Sequence, residues 1–294
     1  MLGGRLRARR LTPGDRDAAL DHLLHARDEN LVLIDQLERL AERPGPAEPP
    51  PQLHGAWDEG RLAGMAALRP GITLSHAIDD RALGALRPAL LRLPSGLIKS
   101  ERRAVDALWP AFVADGREPL IDRLELAYRL VRPQPLSDPL RASCAPDGTA
   151  EQGPGRVRRA HAGDLDALVE AARASLREEQ RPDPAVRDPI GFARWVQGRM
   201  GRARVVEAEG RVVFVAYADV QSRHGWLVQG VYTWPDHRRR GHARLGMRAL
   251  AHEAFAAGAS HIQLAVVGGN DRATRLYRKL GFEPFAELRT ILFH

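Results

Sequence analysis

The chain has 294 residues, more than one compact domain usually contains, so two domains of ordinary size are expected. A hydrophobic fraction of 44% and a charged fraction of 28% exclude disordered, collagen-like and coiled-coil classes. The formal charge of +7 does not indicate a nucleic-acid partner, because the arginines are scattered among 37 acidic residues and form no tract.

The sequence predicts a soluble, cytoplasmic protein without a membrane partner. No apolar run reaches the roughly 18 residues of a membrane span, and the N-terminal residues lack the apolar middle of a secretory signal. The single cysteine, Cys144, cannot form an intramolecular disulfide and has no neighbouring pattern of a nucleophile. We interpret it as having no chemical role.

The first half alternates helices and strands. A helix opens near residue 14, and apolar runs at 53–56 and 61–68 predict a hairpin. The pattern then predicts a helix at 80–93, a strand at 96–99, a helix at 101–114 and a strand at 122–130. Residues 136–156 are rich in Pro and Gly and predict a linker between domains 1–135 and 157–294.

The second half repeats this order. An amphipathic helix is expected at 164–180, with Asp164 as its N-cap, before a hairpin at 205–208 and 212–218. A strand at 226–233 ends before Pro235. The pattern continues with a helix at 240–257, a strand at 261–267, a helix at 271–280 and a closing strand at 284–293. The class is α+β around mixed sheets.

Two short matches indicate an internal duplication. The segment 14–18 recurs 149 residues later at 163–167, in both cases where a helix opens. The segment 59–62 recurs 150 residues later at 209–212, in both cases as the turn of a predicted hairpin. Agreement in order and spacing favours two copies of one fold.

A basic strand-to-helix turn follows the strand at 226–233. Backbone N–H groups at a helix start lack intrahelical partners, and Gly241 allows an anion to approach without a Cβ in the way. The alternative is an ordinary basic helix start. Arg238, Gly241 and Ala243 resemble the pyrophosphate loop of the GNAT acetyltransferase superfamily, which implies that residues 238–243 bind acetyl-CoA: Arg238, Arg239, Arg240, Gly241, His242 and Ala243.

A second fingerprint of the same superfamily occupies residues 270–282. Asn270, Ala273, the pair Leu276 and Tyr277, and the pair Gly281 and Phe282 match the GNAT pattern at every spacing. Each also has a structural explanation, such as a helix cap or a core tyrosine. The resemblance implies that Asn270, Ala273 and Tyr277 contact acetyl-CoA and that Tyr277 protonates the leaving thiolate.

The resemblance implies a fold and a reaction. Each domain is expected to be a mixed, mostly antiparallel splayed sheet flanked by helices. Backbone amides of Val231, Tyr232 and Thr233 would polarise the thioester carbonyl, and acetyl would pass directly to an amine of a small molecule or peptide. Acetyl-CoA is the expected co-substrate, and no metal is expected.

The general base departs from the family pattern. Family members often carry a glutamate on the strand before the pyrophosphate loop, whereas residues 226–233 contain no acid. Glu178 and Glu179, at the end of the first helix, are the substitute candidates, and a solvated acidic helix end is the alternative. His224 and Tyr232 are further options. No metal-ligand spacing is present at His237, His242 and His252.

The sequence of the first half resembles a degenerate GNAT domain, as in proteins with two GNAT domains in tandem. The segment 75–84, at the position of the phosphate loop, has the acids Asp79 and Asp80 and no turn glycine. The second fingerprint is absent there, so this copy is expected to bind no CoA and to shape the acceptor site or the tandem interface. Two rivals to an N-acyltransferase stay open: a non-enzymatic acyl-CoA-binding regulatory module, because the strand glutamate is missing, and a nucleic-acid-binding protein.

Overall fold

The computed structural model describes residues 6–41, 51–132 and 155–294. The chain folds into two compact units that interleave in sequence. Unit 1 consists of Met1–Tyr128, Ala265–Asn270 and Pro284–His294, and unit 2 consists of Arg129–Leu264 and Asp271–Glu283. All but the last two residues of the predicted linker, and Cys144 with them, lie outside the described residues. The contiguous division into 1–135, 136–156 and 157–294 stays a prediction about the domain boundaries.

Unit 1 begins with an antiparallel sheet. Its four strands lie in the order β1-β2-β3-β4. The elements are β1 (Arg7–Arg10), α1 (Arg16–Leu24), α2 (Leu31–Glu38), β2 (Gln52–Asp58), β3 (Arg61–Arg69), β4 (Thr73–Leu74), α3 (Asp80–Leu90), β5 (Gly96–Glu101), α4 (Arg102–Ala114) and β6 (Pro119–Val131). Ile72 and Ile98 form an isolated parallel bridge, so β4 and β5 meet only briefly.

Unit 2 repeats this order around its own strands. The elements are β7 (Arg156–Arg159), α5 (Leu165–Glu178), α6 (Pro189–Arg199), β8 (Ala203–Ala208), β9 (Arg211–Ser222), β10 (Gly225–Thr233), α7 (His242–Ala256), β11 (His261–Val267) and α8 (Asp271–Lys279). Neighbouring strands from β7 to β10 are antiparallel, whereas β10 and β11 are parallel. The sequence pattern did not predict α6, which begins where Asp188 accepts a hydrogen bond from the Gly191 amide at 2.8 Å.

The closing strand β12 (Glu283–Phe293) packs in unit 1, although the sequence pattern places it in the second half. It pairs antiparallel with β5 and lies between β5 and β6. Ile291 and Phe293 are buried in the core of unit 1. The Phe293 ring lies 5.0 Å from the ring of Phe112. The strand therefore forms where it was predicted, and its pairing with β5 joins it to unit 1.

The duplication is visible in matched contacts within each unit. Arg9 makes hydrogen bonds of 2.7 and 2.6 Å to Asp15, and Arg158 makes hydrogen bonds of 2.6 and 2.9 Å to Asp164. Asp164 is the N-cap residue of α5, as predicted, but its side chain is used in this ion pair and does not bond to the helix amides. Glu59 and Glu209, in the two hairpin turns, both have positive φ. The predicted α+β class is confirmed, and no helix in the described part of the chain is long and apolar enough to cross a membrane.

Candidate active site

The turn after β10 leads into a helix whose first amides cannot bond within the helix itself. Gly241 is the N-cap of α7 with φ 87°, and Arg239 also has a left-handed φ, of 64°. The first helical bond runs from the Leu245 amide to the Gly241 carbonyl at 3.0 Å, so the amides of residues 242–244 have no intrahelical partner. Gly241 has no side chain to cap them. This end of α7 can therefore receive an anion.

The strands β10 and β11 separate soon after they meet. Their parallel register contains only the pairs Trp226 with Ile262 and Leu227 with Gln263. Farther along, the β10 and β9 pairing is irregular between Gln229 and Tyr232, where Gly230 has φ 58°. Val231, Tyr232 and Thr233 follow this bulge. The backbone of these three residues therefore does not pair with β11. A ligand that lies between splayed strands would require this.

Arg238 connects the turn to β10 and α5. Its Nε donates to the Thr233 carbonyl at 2.9 Å, and its guanidinium pairs with Glu178 Oε1 at 2.5 Å. The Tyr232 hydroxyl donates to the same carboxylate oxygen at 3.3 Å. Burial raises the pKa of Tyr232, and the negative charge of Glu178 raises it further. The Arg238 side chain is thus bound by protein groups and fixes the turn.

The two candidate glutamates differ in their surroundings. Glu178 faces Tyr232 and Arg238, whereas Glu179 is the C-cap of α5 and lies 3.6 Å from Arg181. His224 precedes β10, so nine residues separate it from Thr233, about 30 Å along an extended strand. The structure therefore brings Glu178 and Tyr232 to the turn, and it keeps His224 at the far end of β10.

Tyr277 is a buried tyrosine without an internal hydrogen-bond partner. It is 5% exposed, and its ring lies 5.7 Å from that of Phe282. Its hydroxyl bonds to no group within the described ranges. Burial raises the pKa of Tyr277 well above its ordinary value, so it remains a protonated phenol at neutral pH. A tyrosine whose ring is buried and whose hydroxyl donor has no protein partner is suited to a ligand.

The second fingerprint folds as its spacing predicts. Asn270 directly precedes α8, and Ala273 lies half-buried in its first turn. Gly281 has φ 86°, and the Phe282 amide donates to the Tyr277 carbonyl at 2.9 Å. This is the Schellman ending that a glycine allows. It fixes the end of the helix that carries Tyr277.

Sequence reasoning missed three basic residues of α8. A cavity of about 500 Å³, here called the basic cavity, is lined by Arg239, Arg272, Arg275 and Lys279. The last three stand three and four residues apart, a spacing that places them on one helical face. That spacing was a usable signal in the sequence. No group of three or more metal-ligating side chains occurs within 6–41, 51–132 and 155–294.

The corresponding helix start in unit 1 is closed by acidic side chains. Asp79 caps α3 by accepting from the Ala82 amide at 2.7 Å. Glu101 accepts from the Ala77 amide at 3.0 Å. Carboxylates of unit 1 itself therefore occupy two of the amides at and before this helix start.

These features define an α+β fold whose second unit has a basic strand-to-helix turn with glycine at the N-cap of α7. Residues 165–282 match the model of the acetyltransferase (GNAT) family. A comparison with curated protein sequences gave no match.

Solved structures share the fold over nearly the whole chain. A Drosophila protein is 14% identical, with a TM-score of 0.68 and coverage of 99% of both chains. A GCN5-related N-acetyltransferase from Sphaerobacter thermophilus is 15% identical, with a TM-score of 0.59 and coverage of 99% of this chain and 96% of that one. A tandem GNAT protein from the clavulanic acid biosynthesis pathway is 14% identical, with a TM-score of 0.55 and coverage of 98% of both chains. The predicted GNAT resemblance and tandem fold are confirmed.

Proposed function

We propose that unit 2 transfers an acetyl group from acetyl-CoA directly to an amine acceptor. The observation that carries the proposal is the glycine at the N-cap of α7, since Gly241 has no side chain with which to cap the helix. The equivalent helix α3 of unit 1 is capped by Asp79. One unit thus keeps an anion site that the other has filled with its own carboxylate.

The residues of unit 2 fit this co-substrate. The amides of His242, Ala243 and Arg244 would bind the diphosphate, and the exposed arginines of the turn add positive charge. The amides of residues 231–233 would polarise the carbonyl, because fixed backbone dipoles stabilise charge that develops there. When bound, acetyl-CoA supplies an acetyl group activated as a thioester.

Two side chains would move protons in this reaction. A neutral amine attacks the carbonyl carbon, a C–N bond forms and the C–S bond breaks. Tyr277 would donate its phenolic proton to the sulfur, and its raised pKa keeps that proton available. Glu178 would accept the amine proton, directly or through water.

A matched pair of glycine variants tests the turn. Gly241 and Gly258 stand at opposite ends of α7, and both have φ 87°. Gly241→Asp and Gly258→Asp therefore impose similar backbone strain and the same charge. By calorimetry on the full chain, Gly241→Asp should weaken acetyl-CoA binding about tenfold or more, whereas Gly258→Asp should not. Equal affinities in both variants, or no binding by the unchanged chain, would refute the proposal.

A non-enzymatic acyl-CoA-binding module is the second candidate. It is favoured by the ion pair between Glu178 and Arg238, because this pair occupies the carboxylate that would act as the base. A panel of amines distinguishes the two functions. With an N-acetyltransferase, the amount of free CoA thiol should rise with the amount of at least one added amine. A sensor should bind acetyl-CoA and release no CoA thiol.

A further inference from the structure

Tyr217 is a second tyrosine of unit 2 whose hydroxyl has no protein partner. It lies on β9 and is 4% exposed. Its hydroxyl forms no hydrogen bond with any residue that the structure describes. Buried polar groups are nearly always hydrogen-bonded, so an unused donor indicates a partner from outside the protein. Proton transfer by Tyr277 and Glu178 does not involve this hydroxyl.

The Tyr217 ring lies across the neighbouring strand β10. The backbone of Tyr217 is paired with that of Gln229. At the next residue, Gly230, an added Cβ would lie 2.9 Å from Cδ2 of the ring and 3.3 Å from Cε2. The ring therefore crosses from β9 to β10, and glycine leaves room for it. Because the hydroxyl is at the far end of the ring, it is directed toward the side of β10 where the pairing with β11 has already ended at Leu227.

The helix α6 fixes the ring in this position. The guanidinium of Arg199, the last residue of α6, lies over the Tyr217 ring at 4.4 Å from its centroid. The same guanidinium lies 4.6 Å from the centroid of the Trp195 ring. Two hydrogen bonds to Asp219, of 3.3 and 2.5 Å, hold it and balance its charge. A cation over an aromatic face attracts the ring, so Tyr217 is packed between the sheet and α6.

The hydroxyl of Tyr217 can act only as a neutral group at neutral pH. Burial raises the pKa of Tyr217 to about 12, so the phenol keeps its proton. A protonated phenol donates one hydrogen bond to a carbonyl or carboxylate oxygen. A site that contains such a donor discriminates against a substrate that leaves it unpaired.

We propose that the Tyr217 hydroxyl binds an oxygen atom of the acceptor, and that the acceptor is an amine with a carbonyl or carboxylate oxygen near its nitrogen. The inference rests on the proposed function and extends it. Gly230, which lies against the ring, directly precedes residues 231–233, whose amides would polarise the thioester carbonyl. Tyr217 and Tyr232 belong to the same buried cluster, and the Tyr232 hydroxyl contacts Glu178. An amine near Glu178 can therefore extend an oxygen to Tyr217.

Kinetics of the full chain with matched amines tests the proposal. The panel contains α-amino-acid amides and the alkylamines that lack only their carboxamide group, compared at equal concentrations of neutral amine. The unchanged chain should acetylate the amides with a kcat/KM about tenfold higher, the effect of one hydrogen bond. Tyr217→Phe keeps the ring and should abolish this preference by raising KM for the amides alone. Tyr128→Phe is the control and should change neither value, because Tyr128 is a buried tyrosine of unit 1.

Three results would overturn the inference. Equal kcat/KM for amides and alkylamines in the unchanged chain would refute it and leave acetyl transfer intact. An equal loss for both classes of amine in Tyr217→Phe would make Tyr217 a packing residue. Acetylation of no amine in the panel, with acetyl-CoA bound, would refute the proposed function and this inference together.

Discussion

Tyr277 combines burial, a raised pKa and an unused hydroxyl donor. A proton donor to the leaving sulfur acts in the transition state, so its loss should lower turnover without weakening ground-state binding. Tyr277→Phe should reduce kcat about 10²–10⁴-fold and leave the acetyl-CoA Kd unchanged. Single-turnover kinetics with an accepted amine measures the chemical step. Unchanged turnover would make Tyr277 a packing residue.

Glu178 and Glu179 form a natural comparison, since they are adjacent and only Glu178 contacts Tyr232 and Arg238. Glu178→Gln should lower kcat/KM for the amine by about 10²-fold or more, because a general base is lost. Glu179→Gln should have little effect. Steady-state kinetics of the two variants with one accepted amine measures the difference. Equal kinetics in the two variants would exclude Glu178 as the base.

At the scale of elements, an ion pair spans β12 inside unit 1. Lys99 on β5 contacts Glu125 on β6 at 2.6 Å, and Arg123 contacts the same carboxylate at 3.1 Å. Thr290 of the intervening strand is the register partner of Lys99. Burial alone raises the pKa of Glu125, but the charges of Lys99 and Arg123 outweigh it and lower the pKa from 4.5 to about 2.

Removal of Lys99 should therefore destabilise unit 1. Lys99→Met leaves a buried carboxylate with one partner, and the free energy of unfolding should fall by about 3 kcal/mol at pH 7. The lowered pKa of Glu125 adds stability above pH 4.5, and this stability is lost as the pH falls towards 2. The difference in unfolding free energy between Lys99→Met and the unchanged chain should therefore shrink over that pH range. Hydrogen exchange of β5 peptides in urea measures this difference in the unfolding free energy of unit 1. The double variant Lys99→Met/Glu125→Leu should recover most of the stability lost in Lys99→Met. If it does not, the unpaired Glu125 carboxylate is not the cause of that loss.

Local elements were predictable, and pairings between distant residues were not. The glycine-capped turn and the Schellman ending of α8 depend on neighbours within a few residues, so sequence spacing suffices for them. The contact of Arg238 with Glu178 joins residues 60 apart, and no local pattern encodes it. The helix α6 was missed because its start is a Pro and Gly segment with weak apolar spacing. The pairing of β12 with β5 was not predicted, because the sequence of a strand does not identify the strands beside it.

At the scale of the whole molecule, the two copies should differ in cofactor binding. In unit 1 the carboxylate of Asp79 caps the start of α3, whereas in unit 2 the N-cap residue of α7 is Gly241, which has no side chain. Titration of the full chain with acetyl-CoA should give one site per chain. Saturation at 100 times the Kd should stabilise unit 2 by about 2.7 kcal/mol. A stoichiometry near two would show that unit 1 also binds CoA and would overturn its assignment as a degenerate copy.

The position of β12 also sets an order of events during synthesis. Domains commonly fold in the order in which the ribosome makes them. Unit 1 cannot follow that rule, because residues 284–294 complete its core and are made after every residue of unit 2. Until they emerge, β5 and β6 lack the strand between them and expose unpaired backbone edges that can bind other chains. The nascent first copy is therefore the part of this protein with the greatest need for chaperone protection.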